Sequence, residues 1–144
     1  MRGYFGIGID NPRKQENIGS LFRSAQIFGA KFVFTIGSQY RRQASDTCHS
    51  TRNIPYFFYL DYEEFFRNRA VGSTIIGVEN APEARLINNF VHPRQAIYIL
   101  GSERVGVRPE ILKKCNSIIK IDGEFSLNVA VAGSIIMYDR SVKA

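Results

Sequence analysis

An α/β fold, with a mostly parallel sheet flanked by helices, is what this sequence predicts, and three observations carry that prediction. Short apolar runs alternate with amphipathic stretches along the chain, the pattern of strands joined by crossover helices. The 144 residues are enough for one domain with a buried core and too few for two. The composition, 44% hydrophobic and 22% charged, excludes disordered and fibrous classes. No internal repeat, low-complexity tract or linker interrupts the chain, so a single domain over residues 1–144 is expected.

Each element has its own warrant. Tyr4 to Ile9 reads as a buried strand, with Gly6 and Gly8 as packing glycines rather than a dinucleotide fingerprint. Asp10-Asn11-Pro12 turns the chain, because proline fixes its own φ and pushes Asn11 out of the helical region. Ile18, Leu21, Phe22, Ala25 and Phe28 repeat at helical spacing, so 16–28 predicts a helix, stopped by Gly29. Lys31 to Ile36 is a second strand. The polar stretch 37–51 reads as a loop with room for a short helix. Phe57 to Leu60 is a strand, and Asp61 caps a helix to about Ala70, with Glu63 and Glu64 at its positive end. Ser73 to Val78, Gln95 to Leu100 and Ser117 to Ile121 are further strands. Pro109 opens a short helix through Lys114.

The last segment stands apart. From Leu127 to Tyr138 it is apolar almost all the way round, and a helix without a polar face must be covered on more than one side. Either it runs through the core or a second chain buries it; a dimer interface is the favoured expectation.

A net charge of +6 and a pI near 9.5 point to an anionic partner, with nucleic acid ahead of phosphorylated small molecules. The apolar runs fall well short of the ~18 residues that span a bilayer, and the N-terminus lacks a signal layout, so a cytoplasmic protein is expected. Cys48 and Cys115 are expected to stay reduced. Cys48-His49 lacks a second ligand pair, so no metal is expected.

Three segments carry polar residues where packing alone would not ask for them. In Asn17-Ile18-Gly19-Ser20-Leu21-Phe22-Arg23, a glycine within a helix costs about 1 kcal/mol relative to alanine, and Arg23 offers a planar fork for phosphate or carboxylate. Leu100-Gly101-Ser102-Glu103-Arg104-Val105-Gly106 follows a buried strand, at the end where open α/β sheets bind ligands. The spacing matches neither GxGxxG nor a phosphate loop. In Ser126-Leu127-Asn128-Val129, Ser126 is the expected N-cap of the apolar helix, and Asn128, one turn in, must find partners.

Together and in this order, these segments resemble the SpoU/TrmH family of SPOUT-class RNA 2′-O-ribose methyltransferases. Asn17-x-Gly19-x-x-x-Arg23 is similar to the family's first motif and Leu100-Gly101-x-Glu103-x-x-Gly106 to its second. Ser126-Leu127-Asn128-Val129 with Ala132 is similar to the third, and the likeness runs through Ile136-Met137-Tyr138-Asp139. Asp122 stands where many members carry proline, and the loop up to Ser126 is short.

The resemblance implies a deep trefoil knot over about residues 98–144, a rare exception to unknotted topology. It implies S-adenosylmethionine held by Val78, Glu79, Gly101, Gly106, Ile121 and Leu127, and a homodimer whose active site uses both chains. Glu103 would brace the knot, while Arg23, Ser126 and Asn128 would face the reacting ribose. An arginine is a poor base at its usual pKa. Arg23 is therefore expected to hold an RNA phosphate and the nucleophile, with the proton taken by the phosphate or lost late to water. RNA capture is expected at Asn17, Arg13, Lys14, Arg41, Arg42 and Arg52. A chain with no appended RNA-binding domain favours a compact substrate, tRNA over rRNA. The rivals are an rRNA enzyme, a non-catalytic RNA-binding module on the same scaffold, and a flavodoxin-like nucleotide-binding regulator, which lacks a complete phosphate fingerprint.

Overall fold

The computed structural model describes residues 3–41, 53–123 and 126–143. In chain order the elements are β1 (Tyr4–Asp10), α1 (Gln15–Phe28), β2 (Phe32–Ile36), β3 (Tyr56–Tyr59), α2 (Tyr62–Asn68) and β4 (Thr74–Val78). Then come β5 (Arg85–Leu86), a 3-10 turn (Ile87–Asn89), β6 (Gln95–Gly101), α3 (Pro109–Leu112), β7 (Ser117–Lys120) and α4 (Val129–Lys143). The strands form one sheet in the order β3-β2-β1-β6-β4-β7-β5. Every pairing among them is parallel.

Alternation along the strands sorts side chains onto two faces. Phe5, Ile7, Ile9, Tyr98 and Leu100 pack against Ile18, Leu21, Phe22 and Ala25 of α1 and Val129, Ile136 and Met137 of α4. Phe34, Ile36, Ile75, Ile97 and Ile99 pack on the opposite face with Phe65 of α2 and Ile111 of α3. Gly6 and Gly8 prove to be packing residues, since a Cβ at either would strike the Phe32 or Phe34 side chain.

Local chemistry explains the element ends. Gly29 stops α1 in the left-handed region at φ 83°, where only glycine is free of a Cβ penalty. Asn11 leaves β1 at φ 49°, avoiding the right-handed helical region that the following proline disfavours, but in the left-handed region that asparagine tolerates and not the extended one. Asp61 Oδ1 accepts the Glu64 amide at 2.8 Å, and Glu64 Oε2 accepts the Leu60 amide at 2.8 Å, which fixes the start of α2 from both directions. That helix ends at Asn68, short of Ala70. The strand β5 and its 3-10 turn were not expected; two residues show no periodicity to read.

The C-terminal helix corrects one expectation. Ser126 is not its cap. Asn128 Oδ1 accepts the amides of Ala130 (2.9 Å) and Val131 (3.2 Å), so Asn128 caps a helix that begins at Val129. The SLN stretch offers two good capping residues, and the amide side chain two positions later takes the role. Asn128 is consequently exposed rather than buried a turn deep.

The inner face of α4 packs on α1, where a Cβ at Gly133 would strike Leu21 and Ser134 Oγ donates to Ser24 Oγ at 2.9 Å. Its outer face is apolar and open: Tyr138 is 58% exposed and Val142 59%, and Ile27 of α1 is 72% exposed. Among the described residues no helix is long and apolar enough to cross a membrane, and no cluster could hold a metal ion.

Candidate active site

The carboxyl ends of β4, β6 and β7 meet at a cavity of about 290 Å³, near the lower end of the roughly 300–1,000 Å³ of small-molecule sites. Its walls include Val78 and Glu79 beyond β4, Gly101 to Gly106 beyond β6, Lys120 to Gly123 beyond β7, and Ser126 and Leu127 ahead of α4. All six residues expected at a cofactor, Val78, Glu79, Gly101, Gly106, Ile121 and Leu127, line it. So do Glu103 and Ser126.

The loop after β6 is held by identifiable contacts. Gly106 N donates to Ser102 O at 3.0 Å, closing a tight turn, and Gly106 sits at φ 75°. A Cβ at Gly101 would strike the backbone of Gly106 and Val107, and one at Gly106 would strike the Glu79 carboxylate. These two glycines therefore let the loop lie flat on the strand end. Glu79 Oε1 accepts the Val107 amide at 2.7 Å and its Oε2 accepts the Asn80 amide at 3.0 Å, so the carboxylate pins the loop as well as walling the cavity.

A polar chain joins the three segments singled out in the sequence. Asn17 Nδ2 donates to Glu103 Oε1 at 2.5 Å, and Asn128 Nδ2 donates to Asn17 Oδ1 at 3.0 Å. Since Asn128 Oδ1 also caps α4, one amide couples the helix start to the cavity rim. Asn17 therefore acts as the bridge between Glu103 and Asn128, whatever else it touches.

Arg23 lies elsewhere. It is exposed on α1 and is not among the cavity walls. It shares a helix face with Ser20 and Ile27, beside the open apolar surface formed with Val131, Ile135 and Tyr138. Arg13, Lys14 and Arg41 converge at the start of α1, because Gln15 Nε2 donates to Gln39 O (3.1 Å) and Gln15 Oε1 accepts the Arg41 amide (2.6 Å). All three are exposed. Arg42, Arg52, Cys48 and His49 lie outside the described residues. Burial pushes the Cys115 thiol up to about 12, which keeps it protonated and inert.

Asn80, Arg104, Lys120 and Asp122 line the cavity but were not singled out as ligands. Asn80, Lys120 and Asp122 follow from the rule that ligands sit at strand carboxyl ends. Among the described walls are the carboxylates Glu79, Glu103 and Asp122 and the cations Arg104 and Lys120. Such a lining suits a ligand that carries both charge signs and is cationic on balance.

Comparison with known proteins agrees with this geometry. A family model described as the SpoU rRNA Methylase family matches residues 5–138. A mouse protein named tRNA (guanosine(18)-2′-O)-methyltransferase TARBP1 is 26% identical over 143 residues, covering 91% of this chain and 9% of that protein. The AdoMet-bound rRNA methyltransferase from Sinorhizobium meliloti superposes with a TM-score of 0.87 at 20% identity, over 99% of this chain and 57% of that one. A structure described as "Structural insights into the 2-OH methylation of C/U34 on tRNA" superposes with a TM-score of 0.85 at 17% identity, over 98% of this chain and 96% of that one. The chain spans less than two thirds of the length of the curated relatives it matches. With the family model covering all three motif segments and the walls of the cavity they build, the chain belongs to the SpoU rRNA methylase family.

Proposed function

We propose that the chain is an S-adenosylmethionine-dependent methyltransferase acting on a ribose 2′-hydroxyl of RNA, with tRNA the favoured substrate. The observation that carries this reading is the cavity itself: all six expected cofactor residues wall it, and the Asn17–Glu103–Asn128 chain borders it. S-adenosylmethionine has one carboxylate against an ammonium and a sulfonium, the charge balance that the Glu79, Glu103, Asp122, Arg104 and Lys120 lining complements. When bound, it supplies an electrophilic methyl group and departs as a neutral thioether.

The chain's own residues have separate tasks. Gly101, Gly106 and Ile121 offer backbone groups, Val78 and Leu127 apolar contact, and Glu79 a fixed carboxylate. Holding a ribose 2′-hydroxyl for methyl transfer would be mainly a positioning task for the chain's own residues. Ser126 and Asn128, at the mouth of α4, are the groups to orient the ribose. Glu103 holds Asn128 through Asn17.

Arg23 completes the reading only across two chains. Its helix face adjoins the open apolar surface of α1 and α4 and not its own cavity. Pairing that surface with a second copy would bury Ile27, Ile135 and Tyr138 and carry Arg23 toward the neighbour's site. There it would hold a phosphate and the nucleophile, leaving the proton to the phosphate or to water. The return of α4 to α1 after β7 has been added beyond β4 is compatible with a knotted tail over about residues 98–144.

The tRNA preference draws support from a neighbour of nearly equal length whose description concerns tRNA, and from the cations Arg13, Lys14 and Arg41 at one end of α1. Methyl transfer from labelled donor into total RNA, separated into tRNA and rRNA and then mapped, tests the reading. Label in tRNA ribose is expected; label in rRNA alone moves the substrate, and no label with no donor binding by calorimetry ends the proposal. Mixing inactive Arg23→Ala and Asn128→Ala chains should restore activity if each site draws on both protomers.

A further inference from the structure

We infer that Asp10 and Arg108 form a lock that fixes the Gly101–Val107 loop and so act as positioning residues for S-adenosylmethionine. The inference rests on the methyltransferase reading above and adds a pair of residues that no motif contains. Asp10 ends β1 with its side chain fully buried, and both its oxygens are bound by one guanidinium: Arg108 Nη2 reaches Oδ1 at 2.7 Å and Nε reaches Oδ2 at 3.0 Å. The Arg108 amide adds a third bond, to Oδ2 at 3.2 Å.

The lock's place in the sheet gives it a role. Asp10 lies opposite Gly101 in the β1–β6 register. The neighbouring amide, Val107 N, goes to Glu79 beyond β4, on the other side of β6. Two successive amides at the loop's exit are thus held by carboxylates from the strands flanking β6, with the loop pressed on Gly101 between them. Arg108 stands at the N-cap of α3 but caps nothing; its side chain goes to Asp10, with the Tyr62 ring 5.9 Å from its guanidinium.

A buried ion pair is a poor way to gain stability, since an apolar pair of similar volume would often serve as well. What a bidentate fork adds is fixed orientation. Here it orients the cavity wall, and also the segment leading to Asn17. That segment leaves β1 through Asn11, whose amide donates to Ile36 O at 2.7 Å and whose Oδ1 accepts from Ser38 Oγ at 3.2 Å. One ion pair therefore ties together the two segments whose side chains Asn17 and Glu103 bond to each other at the cavity rim.

The test compares wild type with Arg108→Lys, which keeps the charge and loses the fork. The neutral double variant Asp10→Asn/Arg108→Gln carries the test if the lysine variant fails to fold. Calorimetry with S-adenosylmethionine and S-adenosylhomocysteine, RNA affinity, and amide exchange over residues 101–107 are read on folded protein. Donor affinity is expected to fall about tenfold or more, with faster exchange in the loop and a raised KM. RNA affinity should stay within about twofold. Folded variants that bind donor as wild type does, an equal fall in RNA affinity, or loss of folding in every variant would overturn the inference. A wild-type chain that binds neither ligand overturns the methyltransferase reading and the lock's role together; binding by wild type with unchanged variants overturns the lock alone.

Discussion

The two edges of the sheet use polar residues in opposite ways. At the amino edge, His92, Tyr98, Asp139, Arg140 and Lys143 form a network closed on itself. Arg140 donates to the carbonyls of Pro93 (2.6 Å) and Arg94 (2.9 Å) and to Tyr98 Oη (3.1 Å), and its guanidinium stands 5.3 Å from the Phe5 ring. Lys143 donates to the carbonyls of Ile87, Asn88 and Phe90 and pairs with Asp139 at 2.9 Å. At the carboxyl edge, Glu103 and Ser126 wall a cavity while exposed. The closed network holds the end of α4 to the chain ahead of β6; the open one leaves groups for a ligand. Polar groups that satisfy one another make architecture, and those left facing space make a site.

The largest test of that division is at the amino edge. Arg140→Met removes the guanidinium donor from Tyr98 Oη and from the Pro93 carbonyl, while Arg94 O keeps the Tyr4 amide. Each buried polar group left without its donor costs roughly 1–3 kcal/mol, together a large part of a typical domain's stability. Chemical denaturation should show that loss, while donor affinity, measured on the fraction still folded, stays close to wild type. Equal losses in both would mean that the edges are one unit.

Asn128→Ala reverses the pattern. Loss of an N-cap costs about 1 kcal/mol, but the change also removes the donor to Asn17 Oδ1 and frees Glu103 from the third segment. Methyl transfer should fall by about a hundredfold or more for that modest loss of stability. Asn128→Asp keeps the cap and loses the amide donor, so it should recover stability and not activity; full activity would show that capping is the residue's whole contribution.

A third test uses pH. His92 Nε2 lies 2.7 Å from Asp139 Oδ2 and Nδ1 lies 2.7 Å from Tyr98 Oη. The carboxylate calls for a proton on Nε2, so Nδ1 accepts from the tyrosine, whose own pKa burial pushes up to about 12. Burial lowers the His92 pKa, outweighing the raising effect of Asp139. Asp139, although burial works against it, is held below its usual value by Lys143 and His92 and stays ionised. The unfolded chain therefore takes up a proton on His92 before the folded one does. Stability should be full above about pH 6.5 and fall as pH drops from there through the lower folded value. Urea midpoints across that window test the sign, and His92→Gln should flatten the curve.

How much of this was legible in the sequence differs between the two edges. The strands and α1 were legible because hydrophobic period and stop signals agree: Gly29 ends α1 in the conformation its type predicts. The cavity walls were legible through the family resemblance, whose second and third motifs follow β6 and precede α4, while the first lies on α1 and walls nothing. The helix cap was misread, since Ser126 and Asn128 are both good caps and only geometry chooses between them. The amino-edge network was not legible. His92 and Asp139 are 47 positions apart, and nothing in either neighbourhood marks them as partners. The same holds for Asp10 and Arg108, 98 positions apart and joined only because β1 and β6 are neighbours in the sheet. Local period carries strands and helices; long-range polar pairing exists only after the sheet order is known.

The smallest expected effect concerns the exposed cations at the carboxyl side of β1. Arg13, Lys14 and Arg41 are exposed around the start of α1, where Gln15 holds the 39–41 segment against the helix. If they meet RNA phosphates, each releases a counterion on binding, and the log of affinity against the log of salt steepens by roughly 0.7–0.9 per contact. Lys14→Ala should reduce that slope by somewhat less than one, weaken all RNAs alike, and leave stability within about 0.5 kcal/mol. Arg13→Ala should do the same, and the two changes should add because neither removes the other's phosphate. A slope unchanged by both substitutions would take these cations out of the RNA footprint while leaving the cavity and its donor untouched, since neither residue walls it.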